Sequence, residues 1–257
     1  MNFWQIRSQR PSKSESCNAM KRFTSTGAPR IGLIDFPGSN CDRDCLDAFS
    51  RHFGIKLQAV WHSERTLPKL DAVLLPGGFS YGDYLRSGAL AAHSPIMVAV
   101  KNFVANGGPA LGICNGFQIL TESHLLPGAL LRNQSRKFIC KQVDLLAGSG
   151  ESVYGRSLAG RRLRMPIAHG EGRYFIDDDG LRRLQDHGQV AFRYVDQSGA
   201  ASAEANPNGT RDNIAGIVSE NGRVLGLMPH PERATDLLVG GSADGLAILE
   251  SFLSSFM

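Results

Sequence analysis

The sequence predicts an α/β protein built on a doubly wound, largely parallel sheet. From Arg30 onward, short apolar runs that end at Gly/Pro turns alternate with longer amphipathic stretches, which is the order of strands and helices in such sheets. The 257 residues are 42% hydrophobic and 20% charged, so the chain can bury a large core. Strand patterns dominate the second half, which predicts a β-rich C-terminal region.

The first half supplies the parallel part of the predicted sheet. Short apolar runs predict strands at 31–35, 57–61, 72–75 and 110–113, and amphipathic stretches predict helices at 42–53, 84–92, 96–105 and 117–123. Ligands of open parallel sheets bind beyond the carboxyl ends of the strands. We therefore expect chemistry in the segments that follow Leu75 and Ile113.

The second half continues with strands predicted at 138–145, 163–167, 189–194, 214–218 and 224–227, and a helix at 243–252. Asn221-Gly222 separates the last two strands. Both residue types tolerate positive φ, so the pair predicts a hairpin closed by a type I′ turn.

The basic charge of the chain is concentrated at its start. Of 28 Lys and Arg and 24 Asp and Glu, six basic residues and one acid fall within residues 1–30, which leaves 22 basic and 23 acidic residues for the rest. A folded body without excess positive charge argues against nucleic-acid binding.

Residues 1–29 are predicted to be a disordered basic leader before one domain at 30–257. Initiation at Met20 and an organellar transit peptide stay open as alternatives for the leader.

The cysteines and the apolar stretches indicate a cytoplasmic protein. Five cysteines are an odd number and sparse for this length, unlike the framework of a small secreted domain. The uncharged stretch 87–100 has 14 residues and contains His93 and Pro95, whereas a spanning helix needs about 20 apolar residues. We predict no transmembrane helix.

The sharpest chemical signal is Gly112-Ile113-Cys114-Asn115-Gly116, where a predicted strand turns directly into a helix. This is the pattern of a nucleophile elbow with cysteine as the nucleophile. The helix N-terminus favours the thiolate, which is the reactive form of Cys114. The alternative is a buried cysteine that acts as a small apolar residue beside a tight turn.

A thiolate nucleophile needs a proton donor for its leaving group, and His230 is the preferred candidate. It follows a predicted strand, sits between Pro229 and Pro231, and precedes Glu232 by two residues, so a turn can bring the carboxylate to the imidazole. The alternative is a rigid surface turn. His169 is the rival histidine because Glu171 repeats the spacing, although the flanking glycines suggest a loop that approaches a ligand or partner closely.

The second glycine-rich turn, residues 76–83, also follows a strand. An oxyanion needs two donors, and the amides of Gly78 and Asn115 can supply them if the strands ending at Leu75 and Ile113 are neighbours. A phosphate-binding nest or a plain turn stays open as an alternative. The chain contains no Gly-x4-Gly-Lys-Ser/Thr element, so a P-loop is absent.

The remaining candidates carry less weight. Cys41 and Cys45 are spaced four apart on one predicted helix, but no second pair at metal spacing accompanies them, so no metal site is predicted. Cys140, Met165, Met228 and the scattered phenylalanines are predicted to lie in the core.

The elbow with a later His-Pro-Glu resembles the class I glutamine amidotransferases. Five longer strings resemble one branch of that family, the glutaminase subunits of the synthase that makes formylglycinamidine ribonucleotide in purine biosynthesis. These strings span residues 36–42, 76–86, 114–120, 168–172 and 206–209. The resemblance runs from about Arg30 to Phe252. The leader is the departure, because the family usually lacks it.

The resemblance implies a flavodoxin-like fold and a Cys114-His230-Glu232 triad that hydrolyses L-glutamine, with Gly77 and Gln118 contacting the substrate. Ammonia would pass to a large synthetase subunit, commonly bridged by a small third subunit. ATP and Mg would be used by the synthetase, and no cofactor by this chain. Two rival interpretations stay open: a non-catalytic docking subunit on the same fold, and another cysteine hydrolase such as a γ-glutamyl peptidase.

Overall fold

The computed structural model describes residues 27–148 and 152–256. In chain order the elements are β1 (Ile31–Asp35), α1 (Asp42–Phe53), β2 (Gln58–Trp61), β3 (Ala72–Leu75), α2 (Ala89–Ala92), α3 (Pro95–Ala105), β4 (Ala110–Ile113), α4 (Asn115–Glu122), β5 (Ala129–Leu131), β6 (Ile139–Ala147), α5 (Val153–Leu158), β7 (Arg162–His169), β8 (Arg173–Phe175), α6 (Asp178–Asp186), β9 (Val190–Val195), β10 (Ile214–Val218), β11 (Val224–Leu227), α7 (Leu237–Gly240) and α8 (Gly245–Ser254). Three 3-10 turns lie at Ser80–Asp83, Arg211–Asn213 and Pro231–Arg233.

Nine of these strands form one sheet in the order β2-β1-β3-β4-β11-β10-β9-β6-β7. The five strands from β2 to β11 are mutually parallel, whereas β10, β9, β6 and β7 pair antiparallel. β5 and β8 form a separate two-stranded sheet. The predicted α/β class is confirmed, and the antiparallel strands account for the β-rich C-terminal half.

Burial explains why the parallel strands could be recognised. Every residue of β3 and β4 is buried, as expected for strands covered by helices on both faces. Close packing of α4 on the sheet depends on Gly226, because a Cβ there would lie 2.2 Å from the ring of Phe117. The strands predicted at 31–35, 72–75, 110–113, 214–218 and 224–227 have the observed bounds.

The helix predicted at 84–92 is wrong over most of its length. Only Ala89–Ala92 is helical, and a 3-10 turn ends at Asp83. Asp83 and Leu85 have φ of 54° and 71°, and Gly88 has φ of 79°. Left-handed residues interrupt a right-handed helix, so an Ala- and Leu-rich composition misled the prediction. The pattern also gave no signal for α5, α6, α7, β5 or β8.

The predicted hairpin is confirmed, because β10 and β11 pair antiparallel around the turn. The predicted type I′ geometry is wrong, since it requires two positive φ angles. Gly222 has φ of 69°, and Asn221 is not among the positive-φ residues. Asn221 contributes through its side chain instead, accepting hydrogen bonds from Ser219 Oγ at 2.7 Å and Arg223 N at 3.1 Å.

The residues that were predicted to lie in the core are only partly confirmed. Met165 and Met228 are fully buried, as predicted. Cys140 is exposed, so its assignment to the core is wrong; in β6 the buried positions are Val143, Leu145 and Ala147, which turns the even-numbered side chains outward. The core assignment also fails for Phe79, Phe138 and Phe175, which are about half exposed.

Residues 1–26, which make up most of the predicted leader, lie outside the described residues. The division into leader and domain therefore stays a prediction. Among the described residues, no helix has the length and apolar character needed to cross a membrane.

Candidate active site

The predicted site residues meet at the carboxyl edge of the parallel strands. Cys114 directly follows β4, which pairs with β3 on one side and β11 on the other. Gly77 and Gly78 follow β3, and His230 follows β11. The adjacency on which the oxyanion prediction depended is thus present, with Leu75 opposite Gly112.

Cys114 occupies a sharp strand-to-helix turn. Its backbone has φ of 49° and ψ of −103°, a conformation that a non-glycine residue adopts only under strain. The Cys114 amide donates to Leu227 O at 2.8 Å, and α4 begins at the next residue. Gly116 permits the turn, since a Cβ there would lie 2.0 Å from Leu75 O. This is the geometry of a nucleophile elbow.

His230 and Glu232 form a buried hydrogen-bonded pair. His230 Nδ1 and Glu232 Oε1 are 2.6 Å apart, and both side chains are almost inaccessible to solvent. The 3-10 turn Pro231–Arg233 folds the carboxylate back onto the ring. The His230 amide donates to Pro166 O at 2.9 Å, which fixes the backbone on β7.

The electrostatics of this pair favour a protonated imidazole. Burial by itself lowers the pKa of His230, but the Glu232 carboxylate and the Cys114 thiolate outweigh burial and raise the pKa well above the usual imidazole value. With the Nδ1 proton donated to Glu232, the second proton of the imidazolium sits on Nε2. That atom is buried and has no hydrogen-bond partner among the described residues, so it is available to a bound molecule.

The predicted oxyanion donors lie on adjacent turns. Gly78 has φ of 151°, and a Cβ there would lie 2.7 Å from Ser39 Cα. The bridge between Ser39 and Gly78 is hydrogen-bonded through its flanking residues, from Phe79 N to Gly38 O and from Asn40 N to Gly77 O. The Gly78 amide therefore points away from the Ser39 segment. Asn115 is the first residue of α4, where amides lack intrahelical acceptors.

The side chain of Gln118 is held at both ends. Its Oε1 accepts from Asn115 Nδ2 at 2.9 Å, and its Nε2 donates to Glu171 O at 2.5 Å. Gly77 has a packing role, because a Cβ there would lie 2.8 Å from Cys41 Sγ and 2.9 Å from His230 Cε1. Contact of Gly77 and Gln118 with a substrate stays a prediction.

The rival His169 is built differently, although it too is buried. Its Nδ1 is bonded to Asn133 Oδ1 at 3.0 Å, and Glu171 instead accepts from Ser87 N at 3.2 Å and Arg132 Nε at 3.4 Å. Burial, reinforced by nearby His230, lowers the pKa of His169 to about 4. A neutral imidazole without a carboxylate is a poor proton donor, so the geometry favours His230 for that role.

Sequence reasoning missed Cys41 as a residue of this site. Its Sγ lies 4.0 Å from His230 Nδ1 and accepts from Arg233 Nη2 at 3.1 Å. The one group of metal-ligating side chains found in the described part of the chain is Cys41, His230 and Glu232, without Cys45. The guanidinium on Cys41 opposes a cation there. The signal was present, since Cys41 belongs to one of the strings that carried the resemblance.

Comparisons with known proteins agree with this geometry. Residues 28–242 match the CobB/CobQ-like glutamine amidotransferase domain. The phosphoribosylformylglycinamidine synthase subunit PurQ of Thermomicrobium roseum is 54% identical over 88% of this chain and 95% of that protein. The protein of the same name from Chlorobaculum parvum is 51% identical over 87% of this chain and 89% of its own length.

Solved structures give the same result. The structure of PurLQS from Thermotoga maritima matches with a TM-score of 0.77 and 42% identity, covering 89% of this chain and 99% of the matched chain. A glutamine amidotransferase from Thermotoga maritima, at 18% identity, a TM-score of 0.51 and 79% of this chain, shares the fold alone. The chain belongs to the glutamine amidotransferase family, within the group of phosphoribosylformylglycinamidine synthase subunits PurQ.

Proposed function

We propose that this chain hydrolyses the side-chain amide of L-glutamine at Cys114 and supplies the ammonia to a synthetase. The observation that carries the proposal is the strained Cys114 at the end of β4, beside a buried His230–Glu232 pair at the end of β11. Nucleophile, proton carrier and orienting acid then follow two adjacent parallel strands, β4 and β11, which brings together the three roles of a catalytic triad.

The reaction proceeds in two steps. The Cys114 thiolate attacks the side-chain amide carbon of glutamine. The backbone N–H groups of Gly78 and Asn115 stabilise the resulting oxyanion, and each of these donors contributes about 10²- to 10³-fold in rate. His230 gives its Nε2 proton to the amide nitrogen of the substrate, and the C–N bond breaks. Ammonia departs, and the γ-glutamyl group remains on Cys114 as a thioester. His230 then takes a proton from water, which attacks the thioester, and glutamate leaves as the thiolate re-forms.

The ammonia is consumed by a partner. The relatives are subunits of phosphoribosylformylglycinamidine synthase, and the matched structure is a PurLQS assembly. We infer that a large synthetase subunit uses ATP, Mg and the ammonia to convert formylglycinamide ribonucleotide to the amidine, with a small third subunit bridging the two. This chain needs no cofactor or metal of its own. The cysteines are sparse, and the four that the structure describes are free thiols, which favours a cytoplasmic location.

The test measures ammonia and glutamate release from glutamine by the purified chain, alone and with the synthetase subunits, ATP and formylglycinamide ribonucleotide. We expect activity that appears or rises with the complex, and its loss in Cys114→Ala. Retained glutaminase activity in Cys114→Ala would refute the assignment of the nucleophile. Failure of Cys114 in the complex to react with a glutamine-analogue electrophile would favour a docking subunit. Glutamate release from γ-glutamyl peptides without a partner would favour a peptidase.

A further inference from the structure

Cys41 connects helix α1 to the catalytic histidine. It precedes the first residue of α1, and its amide donates to Gly77 O at 3.2 Å. Its side chain is buried, with Sγ 4.0 Å from His230 Nδ1 and 3.2 Å from Asn40 Oδ1. Nδ1 already bonds Glu232 at 2.6 Å, so the sulfur makes a packing contact with the ring and its S–H is directed to Asn40.

Arg233 lies behind this sulfur. Its Nη2 donates to Cys41 Sγ at 3.1 Å, and its Nε donates to Asp44 Oδ2 at 2.9 Å. Burial raises the pKa of the Cys41 thiol, so the group between the guanidinium and the imidazole is neutral. Asp44, in the first turn of α1, holds the guanidinium on the outer side of the thiol.

One carboxylate oxygen of Glu232 is not used by the contact with His230. Its Oε2 is buried and has no hydrogen-bond partner among the described residues, and a ligand atom of Glu232 lies within 4.8 Å of Cys41 Sγ. Guanidinium groups form their strongest hydrogen bonds with carboxylates, often in a two-pronged geometry. If Arg233 reached Glu232, it would compete with His230 for the carboxylate and place a positive charge beside the imidazolium.

We propose that Cys41 is a positioning residue whose buried thiol keeps Arg233 away from the His230–Glu232 pair, while Asp44 anchors the guanidinium on the far side. The inference rests on the proposed glutaminase function. It assigns Cys41 to ring placement and charge separation, and neither to nucleophilic attack nor to metal binding.

The test compares Cys41→Ala with Cys41→Ala/Arg233→Gln in the assembled complex, by glutamine-dependent ammonia release. Removing the thiol lets Arg233 approach Glu232, so kcat of Cys41→Ala should fall by about 10- to 100-fold, the scale of a small displacement of a catalytic group. KM for glutamine should change by less than about threefold, because uniform substrate binding is not affected. Removing the guanidinium as well should restore at least about tenfold in kcat, since the competitor is gone.

Cys45→Ala is the matched control. Cys45 is a buried cysteine one turn further along α1 and should keep kcat within about threefold, because it removes similar volume without touching His230. Parental kcat in Cys41→Ala would overturn the positioning role. A double variant no faster than Cys41→Ala would overturn the separation of charges.

A spectroscopic measurement keeps this test independent of turnover. In the resting complex, the proton shared by His230 Nδ1 and Glu232 should give a strongly downfield ¹H NMR resonance, which should be lost in Cys41→Ala and return in the double variant. An unchanged resonance in Cys41→Ala would count against the proposal even if the parent chain had no glutaminase activity. If Cys41→Ala fails to fold, Asp44→Asn replaces it, because releasing this partly buried anchor should produce the same loss of kcat and of the resonance.

Discussion

Replacing Glu232 by glutamine tests the central electrostatic feature of the site. The substitution keeps the shape of the side chain and an oxygen that can accept from His230 Nδ1, but it removes the charge. Because both side chains are buried, solvent cannot compensate for the lost carboxylate. The imidazolium that protonates the leaving ammonia should therefore become less stable.

The size of the effect follows from the contact. The bond between Nδ1 and Oε1 is 2.6 Å long and charge-assisted, and a hydrogen bond to a charged group contributes about 1.5 to 3 kcal/mol. Since 1.36 kcal/mol corresponds to tenfold in rate, kcat/KM for glutamine should fall by about 10- to 150-fold. Little of the loss should arise from unfolding, because the volume and the acceptor are retained.

The pH profile should shift in a defined direction. In the parent, Glu232 and the Cys114 thiolate raise the pKa of His230 against the effect of burial. Without the carboxylate that pKa falls, so the imidazolium is lost at lower pH and the alkaline limb of kcat/KM should move to lower pH. The free energy of unfolding follows the same sign. Because the pKa of His230 is raised in the folded chain, the protonated imidazole stabilises the fold below the unfolded pKa of about 6.5. This stabilisation is lost as the pH rises through the pKa of the folded state.

The assay is steady-state glutamine hydrolysis in the complex across pH, with Glu250→Gln as the control. Glu250 is an exposed side chain on α8, and its substitution should leave kcat/KM within about twofold, as surface charges contribute little. A Glu232→Gln enzyme with parental kcat/KM and an unmoved alkaline limb would refute the role given to this carboxylate.

Two further predictions concern stability. Gly116→Ala would place a Cβ 2.0 Å from Leu75 O, so we expect at least about 3 kcal/mol of destabilisation and a Tm lower by about 6 to 12 °C. Gly54→Ala, with nothing within 4 Å of its Cβ, should cost only about 1 kcal/mol of left-handed strain; equal Tm losses would contradict the steric argument. Because the pKa of His169 is lowered to about 4, its contribution to unfolding free energy should fall by about 2 kcal/mol between pH 7 and pH 5. His169→Gln should show a correspondingly weaker pH dependence in urea titrations, and an unchanged slope would show that His169 titrates normally.

The parallel strands could be predicted because burial on both faces leaves a plain sequence signature. β3, β4 and β11 are each runs of four buried residues bounded by turns. The segment 84–92 fails for the opposite reason. Its composition suits a helix, but left-handed conformations at Asp83, Leu85 and Gly88 redirect the chain, and only contacts with the rest of the protein impose such angles on non-glycine residues.

The site could be predicted as far as strand ends define it. Cys114 was expected at the carboxyl end of a parallel strand, and His230 was expected to meet it because a thiolate nucleophile needs a proton donor with an orienting acid. The parallel pairing of β11 with β4, which brings the two residues to one edge, is known only from the structure. The contact of Cys41 with His230 joins residues 189 positions apart and depends on how α1 packs beside the turn at Pro231–Arg233. No spacing rule encodes that distance, and the regular spacing of Cys41 and Cys45 directed attention to the wrong partner.

The two His-x-Glu segments show why spacing alone does not define a catalytic pair. In His230-Pro231-Glu232, the proline starts a 3-10 turn that brings the carboxylate to Nδ1 at 2.6 Å. In His169-Gly170-Glu171, no such turn forms, and the carboxylate is bonded to Ser87 N and Arg132 instead. The intervening residue therefore separates the two cases, because proline restricts φ to helical values whereas glycine permits the chain to run on. The same argument explains the opposite pKa shifts of the two histidines, since only His230 gains a carboxylate to offset its burial.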